Sequence, residues 1–449
     1  MLDIGLIHRK EYELDVGRFG EFRPARGSAR LSKGKKQPER ALAGKSDASK
    51  ATNSRQKSLT TGSTAAAGNK KSAAKSLAES NNPVIIAQAP GRIHFLGGHG
   101  APFTGLYLSA AIDRWIKVAV NVRKDSSLRF YAADLSERKR TTLVNLKYKR
   151  EDRWANYVKV AIHVFAELGF TLKGLNFTII GNIPQHIGLG SSSAIEVASA
   201  VALKALLHAR ISDQDLIRQL AASHLAFFGD EPPVADYIVG FSARNDQLLL
   251  VDEQGMKAAK IKSPFSRCKF ILMDSRVPQL GVQAELAARS EALKAGLEML
   301  SQGRQGASFR EFAAMDLIDS MGDFPEEIRR RSLHVVQEIR RVLDAGDCLE
   351  RADLTGFSRL IFHSHESLRD LYEVSCPEID WMVKRAQETA GVLGARMTGQ
   401  GFGGCTYTII KNEAVNGYRE RLDDYERIFG FHPGIYEVKI ATGSRIVKE

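Results

Sequence analysis

The chain has 449 residues, 43% hydrophobic and 26% charged, the make-up of an ordinary globular protein with room for two or three domains. No apolar run approaches the roughly 18 residues of a membrane span, and the opening MLDIGLIHRKEYELD lacks the basic-then-apolar order of a signal peptide. A net charge of +12 invites a nucleic-acid reading, but residues 1–82 hold 17 Lys and Arg against 8 Asp and Glu, leaving only +3 for the rest. The basic character belongs to a leader, which argues against a nucleic-acid partner for the folded part. The four cysteines, Cys268, Cys348, Cys376 and Cys405, form no CxxC pair. That scatter fits reduced thiols and a cytoplasmic location rather than a zinc site.

In chain order, residues 23–82 are rich in Ser, Ala, Gly, Lys and Arg with no sustained apolar face, and read as disordered. Order begins near Pro83. VIIAQAP, LYLSAAI, WIKVAVNVR and SLRFYAAD have strand character. RWANYVKVAIHVFAELG has helical spacing and stops at Gly169. LNFTIIGNIP reads as a strand that runs into a Gly- and Ser-rich turn and the helix SSAIEVASAVALKALLHA. SDQDLIRQLAASHLAFF is a second helix, capped by Ser212. After LLLVDEQG the pattern restarts with the strand CKFILMDSRV. Helices are expected across 283–300, 308–318, 325–345 and 353–372, then over EIDWMVKRAQETA. ARMTGQGFGGCTYTIIK is a glycine turn leading into a strand, and GIYEVKIATGSRIV closes the chain as strand. The class is α+β, with a leader at 1–82, one domain at 83–260 and another at 261–449.

The strongest local chemistry lies in Ile183-Pro184-Gln185-His186-Ile187-Gly188-Leu189-Gly190-Ser191-Ser192-Ser193-Ala194. A strand feeds a turn with two glycines, and three hydroxyls open a helix. Glycines permit positive φ and close backbone approach. The unpaired N–H groups and the dipole of the helix start favour an anion. A capped helix with no ligand would look similar, and the Gly-Lys-Ser/Thr of a P-loop is absent.

Two further segments bear on this one. Ala89-Pro90-Gly91-Arg92-Ile93-His94-Phe95-Leu96-Gly97-Gly98-His99 resembles the first signature of galactokinases, and residues 184–194 resemble the second signature of GHMP kinases. Gly394-Ala395-Arg396-Met397-Thr398-Gly399-Gln400-Gly401-Phe402-Gly403-Gly404-Cys405 resembles the third. The runs RWANYVKVAI and SHESLRDLYEVSCPEID are also galactokinase-like. The resemblance spans about residues 84–449. It implies a two-domain GHMP kinase fold, with an N-terminal α/β domain carrying the phosphate loop and a ferredoxin-like α+β C-terminal domain. It also implies an ATP-dependent sugar kinase using ATP and Mg²⁺.

On that resemblance, Trp154 and Tyr157 flank adenine. Gly188, Gly190, Ser191, Ser192 and Ser193 form the phosphate loop, with Ser192 near Mg²⁺. Gly399, Gly401, Phe402, Gly403 and Gly404 close over the site. Asp236 is the catalytic aspartate and also touches substrate, Arg92 is the arginine beside it, and His99 binds the sugar. Taken alone, Asp236 reads as a turn residue and Arg92 as a surface ion pair.

The sequence departs from the family in several places. Where galactokinases carry Gly-Glu-His-x-Asp-Tyr, this chain has Gly97-Gly98-His99-Gly100-Ala101-Pro102, and a sugar-contacting tyrosine falls at about Leu286. Carboxylates that accept sugar hydroxyls give much of the discrimination among sugars, so the expected acceptor is a sugar or polyol other than free galactose. The family's Mg²⁺-binding glutamate falls on His224, a poor ligand for a hard cation. Glu196 is a candidate substitute. His186 replaces a glycine of the second signature, and two protonated histidines could contact phosphate. The losses leave a second reading open, a non-catalytic relative that binds ATP or sugar as a sensor or regulator.

Overall fold

The structure, a computed structural model, describes residues 83–99, 103, 105–302, 308–320 and 322–448. The expected disordered leader at 1–82 and Ala101 lie outside the described residues.

Two sheets organise the chain. The first holds eight strands, β1 (Ile85–Gly97), β2 (Leu106–Val122), β3 (Ser127–Ala132), β4 (Glu137–Thr142), β5 (Leu175–Gly181), β6 (Gln247–Asp252), β7 (Lys257–Lys262) and β12 (Arg445–Lys448). Its main path runs β12-β1-β2-β5-β3-β4, with β6 on β2 and β7 on β6. LYLSAAI and WIKVAVNVR merge into the 17-residue β2, because Asp113 and Arg114 between them do not interrupt the extended backbone. The near end of β2 pairs with β6 and its far end with β5. The second sheet is antiparallel, in the order β11-β8-β10-β9, from β8 (Cys268–Asp274), β9 (Val392–Thr398), β10 (Cys405–Lys411) and β11 (Gly434–Val438).

Helices α1 (Ala155–Glu167), α2 (Ser191–Leu206), α3 (Asp213–Phe228) and α4 (Val234–Ser242) accompany the first sheet, with α2 packed across β1 and β2. The Ser212 hydroxyl caps α3 by accepting the Asp215 N–H at 3.0 Å. The remaining helices are α5 (Val282–Ser301), α6 (Ala314–Asp319), α7 (Glu326–Glu350), α8 (Leu354–Asp370), α9 (Pro377–Gln387), α10 (Val415–Leu422) and α11 (Asp424–Phe429); α8 and α9 pack on β9, while α7 lies against α5 and α8 and touches β1, β2 and β7. The single helix expected over 308–318 is instead a short 3₁₀ turn, Phe309–Glu311, followed by α6. A capping box at Ser308 starts the first piece, and Asp316 Oδ2 accepts the Ala313 N–H at 2.7 Å at the start of the second. The closing stretch is two strands in different sheets. β11 pairs with β8, and β12 crosses back to β1, so the segment from 261 onward contributes to both sheets.

Candidate active site

Alternation along β1 buries Ile93 and Phe95 and leaves Arg92 and His94 on the other face. Both reach Asp236, in the first turn of α4. Arg92 Nε donates to Asp236 Oδ1 at 2.6 Å, and His94 Nε2 lies 3.0 Å from the same oxygen. Ser193 Oγ donates to Asp236 Oδ2 at 2.7 Å. Arg92 also donates to the Gly188 carbonyl, tying the phosphate loop to this carboxylate.

Burial opposes ionisation of Asp236, but the Arg92 charge and the His94 hydrogen bond outweigh it and hold the carboxyl below its ordinary range. Burial, then Arg92, pushes His94 down to about 4 against the pull of Asp236, so the ring is neutral at pH 7. An ionised carboxylate only accepts, so His94 Nε2 carries the proton. His94 Nδ1 then accepts from Ser109 Oγ at 2.6 Å. Ser109 is fully buried, so this Ser–His–Asp line orients the imidazole rather than arming a nucleophile.

The phosphate loop ends at Gly190, a left-handed N-cap (φ 74°) from which α2 runs for 16 residues. A Cβ on Gly190 would sit 3.0 Å from Asp236 Oδ2. Gly188 (φ 75°) meets the third glycine-rich segment, since its Cβ would lie 2.3 Å from the Gly399 Cα. Gly188→Ala therefore forces two backbones apart as well as imposing left-handed strain of about 1–2 kcal/mol. The expected result is at least tenfold weaker ATP binding by calorimetry.

These loops line one cavity of about 1030 Å³. It brings together Arg92, His99, Trp154, Tyr157, Gly188, Gly190, Ser191, Ser192, Ser193, Asp236 and Gly399. Gly401 and Gly403 are not on its wall. They shape the turn instead, packed against Val374 and Val277, with Gln279 Nε2 donating to the Gly401 carbonyl at 2.7 Å. At one end Trp154 donates to Glu137 Oε2 at 2.9 Å and Tyr157 packs on Phe228. At the other end His99 packs edge-on against Tyr372. Burial, then Arg396, pushes His99 down to about 3. Its ring nitrogens make no full hydrogen bond among the described residues, with only the Gln400 backbone approaching.

His224, at the position of the family's Mg²⁺-binding glutamate, is held between two carboxylates. Nδ1 lies 2.8 Å from Glu196 Oε1 and Nε2 lies 3.2 Å from Asp230 Oδ1, so carboxylates occupy both nitrogens. Burial opposes its charge, but these carboxylates raise its pKa. Tyr237 donates to the second Glu196 oxygen, and Glu196 is fully buried and off the cavity wall. Among the described residues no cluster of three or more His, Cys, Asp or Glu could hold a metal.

Sequence reasoning assigned no role to His94, Tyr107 or Glu253, all on the cavity wall. The signal for His94 was its spacing of two from Arg92 on one strand. Glu253 carried none, because it reaches the site from the far end of β6.

Three regions match known families. Residues 156–239 match the GHMP kinases N terminal domain, 347–424 the GHMP kinases C terminal, and 75–122 the galactokinase galactose-binding signature. A Treponema pallidum protein whose galactokinase designation is provisional is 37% identical over 375 residues, covering 82% of this chain and 94% of its own. A Roseiflexus galactokinase is 32% identical over 81% of this chain and 93% of its own. The chain belongs to the galactokinase family of GHMP kinases. The solved galactokinase of Lactococcus lactis, complexed with galactose, superposes with a TM-score of 0.76 at 26% identity, over 84% of this chain and 99% of its own. Methanococcus jannaschii mevalonate kinase shares the fold at a TM-score of 0.56, 17% identity, and 81% and 100% coverage. The chain thus has the two-domain GHMP kinase fold and is an ATP-dependent sugar kinase. Its small-molecule partners are a sugar and ATP, and the sensor reading is not favoured. No helix among the described residues is long and apolar enough to cross a membrane.

Proposed function

We propose that this kinase transfers the γ-phosphate of ATP to a hydroxyl of a neutral sugar related to galactose, with Asp236 as the group that receives the hydroxyl proton. The observation that carries this reading is the buried Asp236 carboxylate, gripped by Arg92, His94 and Ser193 at the mouth of the phosphate loop. The sugar oxygen bonds to the γ-phosphorus as the bond to ADP breaks, and the proton passes to Asp236. A carboxylate held this acidic is a weak base, so the proton moves late, once the oxygen is bonding to phosphorus. That timing suits the loose transition state of phosphoryl transfer, in which positioning and charge stabilisation supply most of the rate.

In this reading Trp154 and Tyr157 flank the adenine, and the amides of Gly188 and Gly190 with Ser191 and Ser193 cradle the phosphates. Gly399 backs the loop, and His99 offers a neutral ring to the sugar. Mg²⁺ fits only as a partner of the nucleotide, chelated by its phosphates and met by Ser192. Glu196 is fully buried, off the cavity wall and bonded to His224 and Tyr237, which supports that arrangement. Mg²⁺ would neutralise charge on the transferring phosphoryl group. The domain division near 260 is part of the same proposal.

The test is ADP release with ATP and Mg²⁺ over a panel of neutral sugars including galactose, N-acetylgalactosamine, arabinose and fucose, with galacturonate as the charged member. Turnover of a neutral sugar supports the reading. Turnover of galacturonate alone would refute it.

A further inference from the structure

Beside Asp236 lies a second carboxylate that the phosphoryl-transfer chemistry does not use. Glu253 follows the end of β6, is half-buried, and lines the same cavity. Tyr107 donates its hydroxyl to Glu253 Oε2 at 3.1 Å, and the Ala235 N–H donates to Oε1 at 3.2 Å. Ala235 is the neighbour of Asp236 in α4, and the Tyr107 ring lies 4.8 Å from that of His94. Glu253 is thus tied to the backbone that precedes Asp236, and its Tyr107 partner to the His94 ring that contacts Asp236.

The bonds leave Glu253 unsaturated. A carboxylate offers about four acceptor directions, and two are filled. The facing wall has been cleared. Among the described residues a Cβ on Gly98 would meet Tyr107 alone, at 3.9 Å, so the position where the family pattern carries a glutamate lies against the residue that holds Glu253.

We propose that Glu253, positioned by Tyr107, is the acceptor-recognition carboxylate of this enzyme and accepts hydrogen bonds from sugar hydroxyls neighbouring the one that is phosphorylated. This rests on the sugar-kinase reading and names the side chain that discriminates its substrate. The acceptor class is a neutral sugar with a hydroxyl next to the reacting one. A uronate would set its own carboxylate against Glu253, while the nearby cations Arg92 and Arg396 are committed to Asp236 and Glu338. Burial pushes Glu253 up to about 7, and an incoming hydroxyl donor favours its ionised form.

The experiment uses the full chain and the best acceptor found in the panel. Glu253→Gln removes the charge and one acceptor oxygen at nearly constant shape. The acceptor KM is expected to rise 10- to 100-fold, with ATP affinity by calorimetry and the melting temperature unchanged. Singly deoxygenated analogues of that sugar supply the coupling. The analogue lacking the contacted hydroxyl should be a poor acceptor for wild type, yet suffer no further loss in Glu253→Gln. Tyr107→Phe, which releases the carboxylate without removing it, should raise acceptor KM three- to tenfold and serves if the first variant does not fold. An unchanged KM in these variants, or equal losses for every analogue, overturns the inference while leaving the kinase reading intact. A wild-type protein that turns over no sugar overturns both.

Discussion

Asp236→Asn should lower kcat for sugar phosphorylation by on the order of 10³-fold, within the range for a positioned proton acceptor, while ATP binding by calorimetry stays within a factor of two or three. The substitution keeps the shape and one oxygen. It removes the charge that Arg92 Nε faces at 2.6 Å and turns an acceptor into a donor toward His94 or Ser193. The pH profile gives an independent check. Because Arg92 and His94 depress the Asp236 pKa below its ordinary value near 4, the group stays ionised throughout the usable range. Any acid limb of kcat above pH 4 therefore belongs to another group and is retained in the residual activity of the variant. A kcat that titrates near pH 5 in wild type and loses that limb in the variant would show that Asp236 is not held ionised.

Glu338→Ala should destabilise the protein by about 3–5 kcal/mol, the cost of leaving buried cations uncompensated. Glu338 lies on α7, 1% exposed. It accepts from Arg341 Nε at 2.7 Å, Ser364 Oγ at 2.7 Å and the Gly97 N–H at 2.9 Å, with Arg396 Nη2 at 3.4 Å. Arg396 in β9 also donates to the Gly97 carbonyl at 3.0 Å. The cluster therefore fastens the end of β1, in the first sheet, to the second sheet. Gly97 leads directly into Gly98 and His99, so the acceptor KM should rise with the loss of stability. Replacing Glu338 and Arg396 together by methionines should cost less than Glu338→Ala alone, since Arg396 is then no longer left as an unpaired buried charge and only Arg341 loses its partner. Burial opposes ionisation of Glu338, but Arg341 and Arg396 depress its pKa. A depressed carboxylate stabilises above its unfolded pKa of 4.5 and loses that contribution as pH falls. Urea midpoints measured from pH 7 down to pH 3 should thus fall more steeply for wild type than for Glu338→Ala.

The sequence by itself determined the parts of the site whose chemistry is local. A strand, two glycines and three serines opening a helix make an anion-cradle pattern from about ten consecutive residues, and the structure has Gly188 and Gly190, both at positive φ, and Ser191 on one cavity wall. Resemblance across three separated segments then supplied Arg92 and Asp236, which are 144 residues apart. Glycines 401 and 403 were legible as a tight turn but not as residues off the cavity wall, because which glycine touches the phosphate loop depends on how β9 and β10 meet it. The break at 308–318 was hidden because capping hydrogen bonds, not periodicity, end the first piece. The closing strands were hidden too, since one hydrophobic run cannot reveal that its two halves belong to different sheets.

Only the tertiary structure decided the rest. His224 and Glu196 looked like phosphate or metal contacts until Glu196 was found fully buried and the two bonded to each other, to Asp230 and to Tyr237. Glu253 had no assigned role until β6 paired with β2 and brought it to Tyr107. The physical reason is common to these cases. A hydrogen-bonding group has a fixed capacity, and what is left of it for a substrate depends on partners that sequence distance does not disclose.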